Sequence, residues 1–352
     1  MSSGKHLKLL FMMNTPADVH TWRYVIHALK DKGYEVTILA RDYGGTVQLL
    51  HKYGLRFRAF KAIRSRYLKI FEIAPHIWEG WKLSREFNPD VIVGFGVDAA
   101  LTGVLSRKRS IVFTDSEPIP VQLFLIRLFA TVILTPSCFR KDLGKKQVRF
   151  AGYKELAYLH PDYFEPDPSI YRELGIRDSE RYVILRFNVF DAFHDIGKHG
   201  FALTDKYRLV RDLEKHCRVF ISAEGSLPKD LECYKLPISY ERIHHALYYA
   251  QLVVCDTQTL TTEAAVLGTP AVRCNNFVGA DDMGNFIELE QKYDSIYCFR
   301  DSQKAIQKAV ELASHPDLKR EWAMKRRRLL ADKIDVTQFM VGFIEHVARE
   351  KC

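Results

Sequence analysis

The fold is decided by residues 252–272, which read LVVCDTQTLTTEAAVLGTPAV. The apolar start of this stretch predicts a short buried strand that ends at Asp256. A helix is expected from near Leu260 to Gly268, because glycine is common immediately after a helix. Pro270 then opens the next strand. A strand, a helix and a second apolar strand in this order are typical of a parallel sheet.

The turn between this strand and this helix is polar and consists of Thr257, Gln258 and Thr259. The backbone N–H groups and positive dipole end of the helix, with hydroxyls such as that of Thr261, form an anion site suited to a diphosphate. Glu263 lies one turn further on, where its carboxylate is placed to accept hydrogen bonds from two ribose hydroxyls. Ordinary N-capping by Thr259 or Thr261, with Glu263 completing a capping box, is the alternative. Both interpretations stay open at this point.

The same alternation runs through most of the chain. Continuous apolar runs separated by helical patterns predict an α/β protein whose parallel sheets are covered on both faces. The predicted strands are Leu7–Met13, Tyr34–Ala40, Phe57–Phe60, Val91–Val93, Ser110–Phe113, Val132–Leu134, Tyr182–Arg186, Val219–Ser222, Leu252–Cys255 and Ala271–Cys274.

Residues 151–180 interrupt this rhythm, with three prolines within eight positions. They predict a linker between two doubly wound, Rossmann-like domains, 1–150 and 181–334. The helix expected over 335–352 is predicted to pack back on the N-terminal domain. Ligands of such sheets bind at the carboxyl ends of the strands, so a cleft between the domains is the expected site.

Composition excludes several classes of protein. With 352 residues, 47% hydrophobic and 27% charged, the chain is neither disordered, nor collagenous, nor a small disulfide scaffold. The seven cysteines are odd in number and lack C-x-x-C spacing, which favours a reducing cytoplasm over a disulfide framework or structural zinc. No apolar stretch reaches the length of a membrane-spanning helix.

The net charge of +9 suits an anionic partner. No recognition helix or RNA-stacking platform is evident, so nucleic acid is not expected. Arg64, Arg66 and Lys69 flank aromatic and aliphatic residues, and residues 121–134 are unusually apolar. A basic rim beside an exposed apolar patch suits an anionic leaflet, and peripheral contact with the inner face of a membrane is therefore considered. A buried helix with solvated arginines nearby is the alternative.

Polar groups follow several strands of the N-terminal domain. Gly94 and Gly96 precede Asp98, and this G-x-G indicates a close backbone approach without being a dinucleotide fingerprint. Asp115 and Glu117 follow the next strand. Carboxylates in these places are candidates for acid–base chemistry.

In the C-terminal domain Arg186 ends a strand, where a guanidinium suits a phosphate and a salt bridge is the alternative. His194 and Asp195 follow, either as a proton donor with its orienting group or as a solvated pair. His244 and His245 are adjacent and diverge on a helix, so no metal site is expected. They are interpreted as helix-surface residues or as contacts to a phosphate or uracil ring.

The pattern Asp-x6-Glu-Ala-Ala-x-Leu-Gly-x-Pro at 256–270 resembles the nucleotide-binding segment of the GT-B superfamily. That superfamily includes UDP-N-acetylglucosamine 2-epimerases and glycosyltransferases, in which the glutamate binds the ribose of a UDP-sugar. Residues 7–300 are also similar to a microbial family, domain of unknown function 354. That similarity rests on Glu35–Val36, Ala40–Arg41–Asp42, Gly152–Leu156, Leu185–Phe187, His194–Asp195, Gly284–Asn285 and Glu288–Glu290.

The GT-B resemblance implies further site residues. His20 stands in the loop that meets acceptor and donor phosphates, where a histidine acts as base. Asp98 and Asp115 stand near catalytic acids of the epimerases. Asn188, with Arg186, is what remains of their His-Arg-x-Glu-Asn stretch.

Glu288 or Glu290 stands where a polar side chain binds the donor sugar. Two departures matter for these assignments. Epimerases carry Ser-Gly-Gly in the turn that is Thr257-Gln258-Thr259 here, and their Pro-Glu-Glu-x-Asn-Arg run has no counterpart.

Three functions follow as hypotheses. The first is a metal-independent glycosyltransferase in surface polysaccharide or glycolipid synthesis, with a UDP-linked sugar as donor and no further cofactor. Its acceptor is a saccharide or a lipid-linked sugar, and His20 or Asp115 is the base. The second is a UDP-sugar 2-epimerase or hydrolase that uses Asp98, Asp115 and Glu117. The third is a non-catalytic sugar-nucleotide-binding protein.

Overall fold

The computed structural model describes residues 7–61, 73–187, 200–223 and 227–350. The chain forms two compact units, one built from residues 1–158 and 334–352 and the other from residues 159–333. Asn188, His194, Asp195 and the basic residues Arg64, Arg66 and Lys69 lie outside the described residues.

The first unit is built on a seven-stranded sheet in the order β3-β2-β1-β4-β5-β6-β7. All its pairings are parallel. The central strands are apolar on both faces, as expected of a sheet covered by helices on each side. Its strands are β1 Lys8–Met13, β2 Glu35–Asp42, β3 Arg58–Lys61, β4 Val91–Phe95, β5 Arg109–Phe113, β6 Val132–Pro136 and β7 Gln147–Phe150.

Helices connect these strands and cover the sheet. The last helix of the chain belongs to this unit and packs against its first helix. The helices are α1 Pro16–Asp31, α2 Thr46–Lys52, α3 Ile73–Phe87, α4 Val97–Ser106, α5 Pro120–Phe129, α6 Leu156–Leu159, at the junction of the units, and α14 Val336–Arg349.

The second unit has a five-stranded parallel sheet in the order β12-β11-β10-β8-β9. Its core joins the apolar faces of these strands to those of three of its helices. The strands are β8 Tyr182–Phe187, β9 Arg218–Ala223, β10 Leu252–Cys255, β11 Ala271–Cys274 and β12 Ile296–Phe299. The helices are α7 Ile170–Glu173, α8 Leu203–Leu213, α9 Ile243–Tyr249, α10 Thr259–Leu267, α11 Gly284–Gln291, α12 Ser302–Ser314 and α13 Leu318–Asp332, with 3-10 turns at Lys229–Tyr234 and Tyr240–Arg242.

The predicted parallel α/β architecture is confirmed, and two strands were missed. β7 and β12 are edge strands of four residues, and each pairs on one side only. The predicted linker, the domain limits and the cleft stay predictions. Within the ranges that the structure describes, no helix combines the length and apolarity needed to cross a bilayer.

Candidate functional site

The second sheet reverses its strand order at one point, and the candidate site lies there. β8 comes first in the chain, β9 lies on one side of it and β10 on the other. Chain connections therefore diverge between β8 and β10, which opens a crevice at the carboxyl ends of these strands. Arg186 ends β8 and is in register with Cys255 at the end of β10. The backbone N–H of Asp256 donates to the carbonyl of Arg186 over 3.3 Å.

The turn after β10 presents hydrogen-bond donors at this crevice. Helix α10 begins at Thr259, with Gln258 as its N-cap residue and no side-chain cap. In a helix the N–H groups of the first turn have no intrahelical acceptor. The hydroxyl of Thr257 is buried and has no hydrogen-bond partner among the residues that the structure describes. Residues 256–259 are only half-buried, so the turn is accessible from solvent.

The capping interpretation of this turn is wrong, because neither Thr259 nor Thr261 is the N-cap residue. The hydroxyl of Thr261 instead donates to the carbonyl of Thr257 over 2.9 Å and lies 3.0 Å from Sγ of Cys255. The hydroxyl of Thr261 therefore stabilises the turn by an internal hydrogen bond, and it is not presented to a ligand at the start of the helix.

Arg186 is half-buried at this edge of the sheet, and its Nη1 donates to Oγ of Ser222 over 2.8 Å. This bond fixes the guanidinium beside the end of the neighbouring strand β9. Gly200 lies against Asp256 so closely that a Cβ atom at position 200 would come within 2.5 Å of Cβ of Asp256. Only a glycine fits at this contact, and it brings the chain close to the start of the turn.

Glu263 forms a buried pair with His244, a contact that the sequence did not reveal. Oε1 of Glu263 lies 2.9 Å from Nε2 of His244. The two residues are 5% and 2% exposed, so His244 is not the helix-surface residue that was considered. α9 and α10 pack together and thereby place the histidine against the carboxylate.

His245 points elsewhere, and its Nδ1 accepts a hydrogen bond from the backbone N–H of Asp167 over 3.0 Å. Burial, reinforced by the nearby charge of Arg242, lowers the pKa of His245 to about 4. The two histidines thus diverge as predicted, and His245 has a structural contact of its own.

Glu288 accepts from Nζ of Lys333 at 2.9 and 2.8 Å, which gives this carboxylate a structural ion pair. Its predicted contact with a donor sugar is untested. Asn285, in the first turn of the same helix, donates from Nδ2 to Oγ1 of Thr262 over 3.0 Å. Its Oδ1 is buried without a partner within the described ranges, so Asn285 is a better candidate for a ligand contact.

The first sheet has its own reversal between β1 and β4, and buried polar groups collect there. Asn14 donates from Nδ2 to Asp98 over 2.8 Å, and Nδ1 of His76 lies 3.8 Å from the same carboxylate. Asp18 accepts from the backbone N–H of Asn14 over 2.7 Å, and burial raises the pKa of this carboxyl to about 6. Gly94 allows the close approach here, since a Cβ would lie 3.0 Å from the Met12 carbonyl oxygen.

A second polar cluster follows β5. The ammonium of Lys154 contacts the carboxylate of Asp115 and lies 2.8 Å from Oε1 of Glu155. Burial raises the pKa of Glu155 to about 7, although Lys154 opposes the shift. Burial disfavours the charge on Lys154, but the two carboxylates outweigh this effect and raise its pKa above the usual range. Sequence reasoning identified Asp115 but missed the two residues that surround it.

The other two predicted residues of the first unit have structural contacts. Glu117 is buried and accepts from the backbone N–H of Arg140 over 3.1 Å. His20 is 4% exposed, with Nδ1 3.1 Å from the hydroxyl of Tyr53 and its ring stacked on Tyr158. Their catalytic roles stay predictions. Among the described residues, no group of three or more His, Cys, Asp or Glu is arranged to hold a metal ion.

Comparisons with known proteins agree with this architecture. A family model described as "Protein of unknown function (DUF354)" matches residues 7–296. No curated protein matches the chain.

Several solved structures do match. The S. aureus MnaA–UDP co-structure is 11% identical, covers 98% of this chain and 99% of its own, and has a TM-score of 0.69. The UDP-GlcNAc 2-epimerase of Neisseria meningitidis, bound to UDP-GlcNAc, is 11% identical, covers 97% and 99%, and has a TM-score of 0.65. Acinetobacter baumannii MurG is 16% identical, covers 96% and 99%, and has a TM-score of 0.57. These likenesses show a GT-B-like fold of two Rossmann-type units.

Proposed function

This chain belongs to the family described as protein of unknown function DUF354, and we propose that it is a metal-independent glycosyltransferase of the GT-B type. Its donor is a nucleoside diphosphate sugar, with UDP as the nucleotide. The observation that carries the proposal is the accessible turn of residues 256–259 at the strand-order reversal of the second sheet. The buried hydroxyl of Thr257 in this turn has no hydrogen-bond partner within the described part of the chain. Similar solved proteins that contain UDP or UDP-GlcNAc support the choice of nucleotide.

The chemistry of this turn suits a diphosphate leaving group. The donor would bind with its phosphates at the first N–H groups of α10, where the helix dipole favours negative charge. The guanidinium of Arg186 would contact the same oxygens. During transfer an acceptor hydroxyl attacks the anomeric carbon, the bond from that carbon to the phosphate oxygen breaks, and the negative charge develops on the diphosphate. Donors already aimed at that oxygen stabilise the charge without reorganisation.

The acceptor hydroxyl must also lose a proton. Asp115 is the better of the two predicted bases, because its side chain is 18% exposed whereas His20 is 4% exposed. The Lys154 ammonium contacts the carboxylate of Asp115 and holds it in place. In this proposal the first unit serves the acceptor and the second unit the donor. The described cysteines are free thiols, which supports a place in the reducing cytoplasm.

A 2-epimerase or hydrolase is the second candidate, and a specific observation favours it. Asp98, Asp115 and Glu155 are carboxyl groups in two polar clusters after neighbouring strands of the first sheet. Elimination and re-addition at a sugar carbon need several positioned acid–base groups, and these residues are available for that task. Glu117, the third predicted acid, is held by the backbone of Arg140.

Calorimetric titration of the full chain with UDP, GDP, CDP and their sugars tests the proposal. We expect binding of at least one nucleoside diphosphate, weakened by Thr257→Val and by Arg186→Met. Absence of binding to all of them at millimolar concentration would overturn every candidate that uses a sugar nucleotide.

Product analysis without an acceptor then separates the candidates. A transferase leaves the sugar nucleotide unchanged until an acceptor is added, whereas an epimerised sugar or free UDP indicates the second candidate. A bound nucleotide that never turns over, with any acceptor supplied, indicates a non-catalytic binding protein in polysaccharide or glycolipid assembly.

A further inference from the structure

The outward face of α5 is apolar and exposed to solvent. Val121, Phe124 and Leu128 are 71%, 64% and 55% exposed, and their spacing of three and four residues places them on one side of the helix. Leu123 and Ile126 on the opposite side are buried in the core of the first unit. The helix therefore carries apolar residues on both its buried and its exposed face.

The last turn of α4 extends this apolar surface. Val104 and Leu105 are 48% and 56% exposed, and α4 packs alongside α5. Both helices run from the carboxyl edge of the sheet to its amino edge, because each connects two neighbouring parallel strands. Mutual hydrogen bonds between Ser110 and Thr131 tie the chain after α4 to the chain after α5. We call Val104, Leu105, Val121, Phe124 and Leu128 the α4–α5 patch.

Basic side chains lie beside the α4–α5 patch, at the end of α5. Lys146 donates from Nζ to the carbonyl of Leu128 over 3.0 Å, which places this lysine at the end of α5. The loop that carries it also passes beside Arg127, since a Cβ at Gly144 would lie 3.7 Å from Nε of that arginine. α5 itself contains no acidic residue. The exposed basic residues on α5 and on the segments that follow α4 and β6 are Arg107, Arg127, Arg140, Lys141, Lys145 and Lys146.

We propose that the α4–α5 patch docks on an anionic lipid bilayer. Exposed aliphatic and aromatic side chains enter the boundary between headgroups and acyl chains, and the neighbouring lysines and arginines bind acidic headgroups. An apolar patch of this kind on a soluble domain marks an interaction surface. The distribution of charge selects the bilayer over a second copy of this chain. A two-fold interface places the same patch against itself, so the basic side chains beside it in the two copies would repel each other.

This surface connects to the proposed activity by its place in the fold. α5 begins at Pro120, shortly after Asp115 and Glu117, at the carboxyl edge of the first sheet. Docking through α5 would hold that edge close to the lipid surface. If the proposed glycosyl transfer is correct, the acceptor class that this arrangement favours is a lipid-linked sugar. The docking itself requires no activity.

Sedimentation of the full chain with lipid vesicles tests the proposal directly. Vesicles of phosphatidylcholine mixed with phosphatidylglycerol are compared with vesicles of phosphatidylcholine alone. We expect binding to the anionic vesicles that weakens as salt is raised, because salt screens the electrostatic part. The double variant Phe124→Ser, Leu128→Ser should lose about tenfold or more in partition coefficient. The pair Arg127→Glu, Lys145→Glu should lose a similar factor.

Matched controls use residues of the second unit with the same chemistry. Phe277, which is 48% exposed, is replaced by serine, and the exposed Lys304 and Arg320 are replaced by glutamate. These variants should bind vesicles as the native chain does. Equal losses in both sets would show attraction by net charge alone and would overturn the proposal. So would an absence of vesicle binding, or self-association in sedimentation velocity that Phe124→Ser, Leu128→Ser abolishes.

Discussion

At the scale of single residues, the pairing of Glu263 with His244 decides what this carboxylate is able to do. Both side chains are buried, and the 2.9 Å contact holds Oε1 in place. A carboxylate fixed in this way loses little freedom when it accepts a hydrogen bond from a ligand hydroxyl. A neutral amide of the same shape keeps an oxygen for His244 but weakens a charge-assisted bond to ribose.

We therefore expect Glu263→Gln to weaken binding of UDP by about tenfold while leaving binding of pyrophosphate unchanged. Glu214→Gln is the matched control, since Glu214 is another carboxylate of the second unit and accepts from the hydroxyl of Tyr234 over 2.7 Å. Calorimetry with UDP, its 2′,3′-dideoxy analogue and pyrophosphate makes the measurement. Equal losses for all three ligands would contradict a contact with the ribose.

Lys319 should make the stability of the second unit depend on pH. Its ammonium is buried and donates to the carbonyls of Tyr248 and Ala250 at 2.6 and 2.9 Å. Burial, with the nearby charge of Arg326, lowers its pKa to about 7. In the unfolded chain this lysine keeps its proton up to about pH 10. Between these values the unfolded chain binds more protons, so the contribution of Lys319 to stability rises with pH.

Lys319→Met should remove this rise, whose slope is at most about 1.4 kcal/mol per pH unit. Pulse proteolysis in urea at pH 7, 8 and 9, read from peptides of the second unit, measures the free energy of unfolding. The exposed Lys304, replaced by methionine, controls for loss of one surface charge. A pH dependence equal in the Lys319 variant and the native chain would show that Lys319 keeps its ordinary pKa.

These residues also show how far the candidate site was predictable. The turn after Asp256 was predictable because three signals follow one another in the sequence. An apolar strand comes first, then three polar residues, then a helix that ends at a glycine. The partners of Glu263 and Asp115 were not found. His244 lies 19 positions from Glu263, and Lys154 lies 39 positions from Asp115. Such pairs form only when separate elements pack, and no local pattern encodes them.

At the scale of elements, the end of α10 depends on one glycine. Gly268 has a φ of +77°, and a Cβ there would lie 2.9 Å from Cδ of Arg326. That arginine donates from Nε to the carbonyl of Val266 over 3.0 Å, where a cation is favourable at a helix C-terminus. Glycine thus permits both the left-handed turn and the approach of the side chain that covers the helix end.

Gly268→Ala should lower the stability of the second unit by about 1–2 kcal/mol. Gly342→Ala should instead raise stability by roughly 0.5–1 kcal/mol, because Gly342 lies within helix α14 and nothing is within 4 Å of the added Cβ. Urea denaturation of each variant gives the comparison. If both variants changed the free energy of unfolding in the same direction, the proposed roles of these two glycines would be wrong.

Prediction of elements succeeded for the central strands and for the edge strands β3 and β9, and it failed for the edge strands β7 and β12. Central strands such as β1 and β10 are almost wholly buried, and their continuous apolar runs are easily recognised. β7 has only one buried residue of four, and β12 likewise. A strand with so few buried residues has no continuous apolar run, so the sequences of β7 and β12 resemble those of loops.

At the scale of the whole molecule, the two units share the same kind of sheet and the same kind of candidate binding edge. Each parallel sheet reverses its order once, between β1 and β4 and between β8 and β10, and polar groups collect at both points. The sequence predicted these edges because successive strands end in polar residues.

The last helix of the chain, α14, belongs to the first unit. α14 packs against α1, and Met340 on its inner face is fully buried. The hydroxyl of Thr337 donates to the carbonyl of Ala157 over 2.7 Å, and the ring of Phe339 stacks on Phe150 at 5.2 Å. A truncation on this face leaves a cavity inside the first unit.

Met340→Ala should therefore lower the stability of the first unit by about 2–5 kcal/mol. Met324→Ala is its control, since Met324 in α13 is 58% exposed and its truncation should change stability by less than about 0.5 kcal/mol. Pulse proteolysis with peptides assigned to each unit separates the two responses. If the first unit is unaffected, or if the second unit loses as much, then α14 does not belong to the core in which Met340 lies.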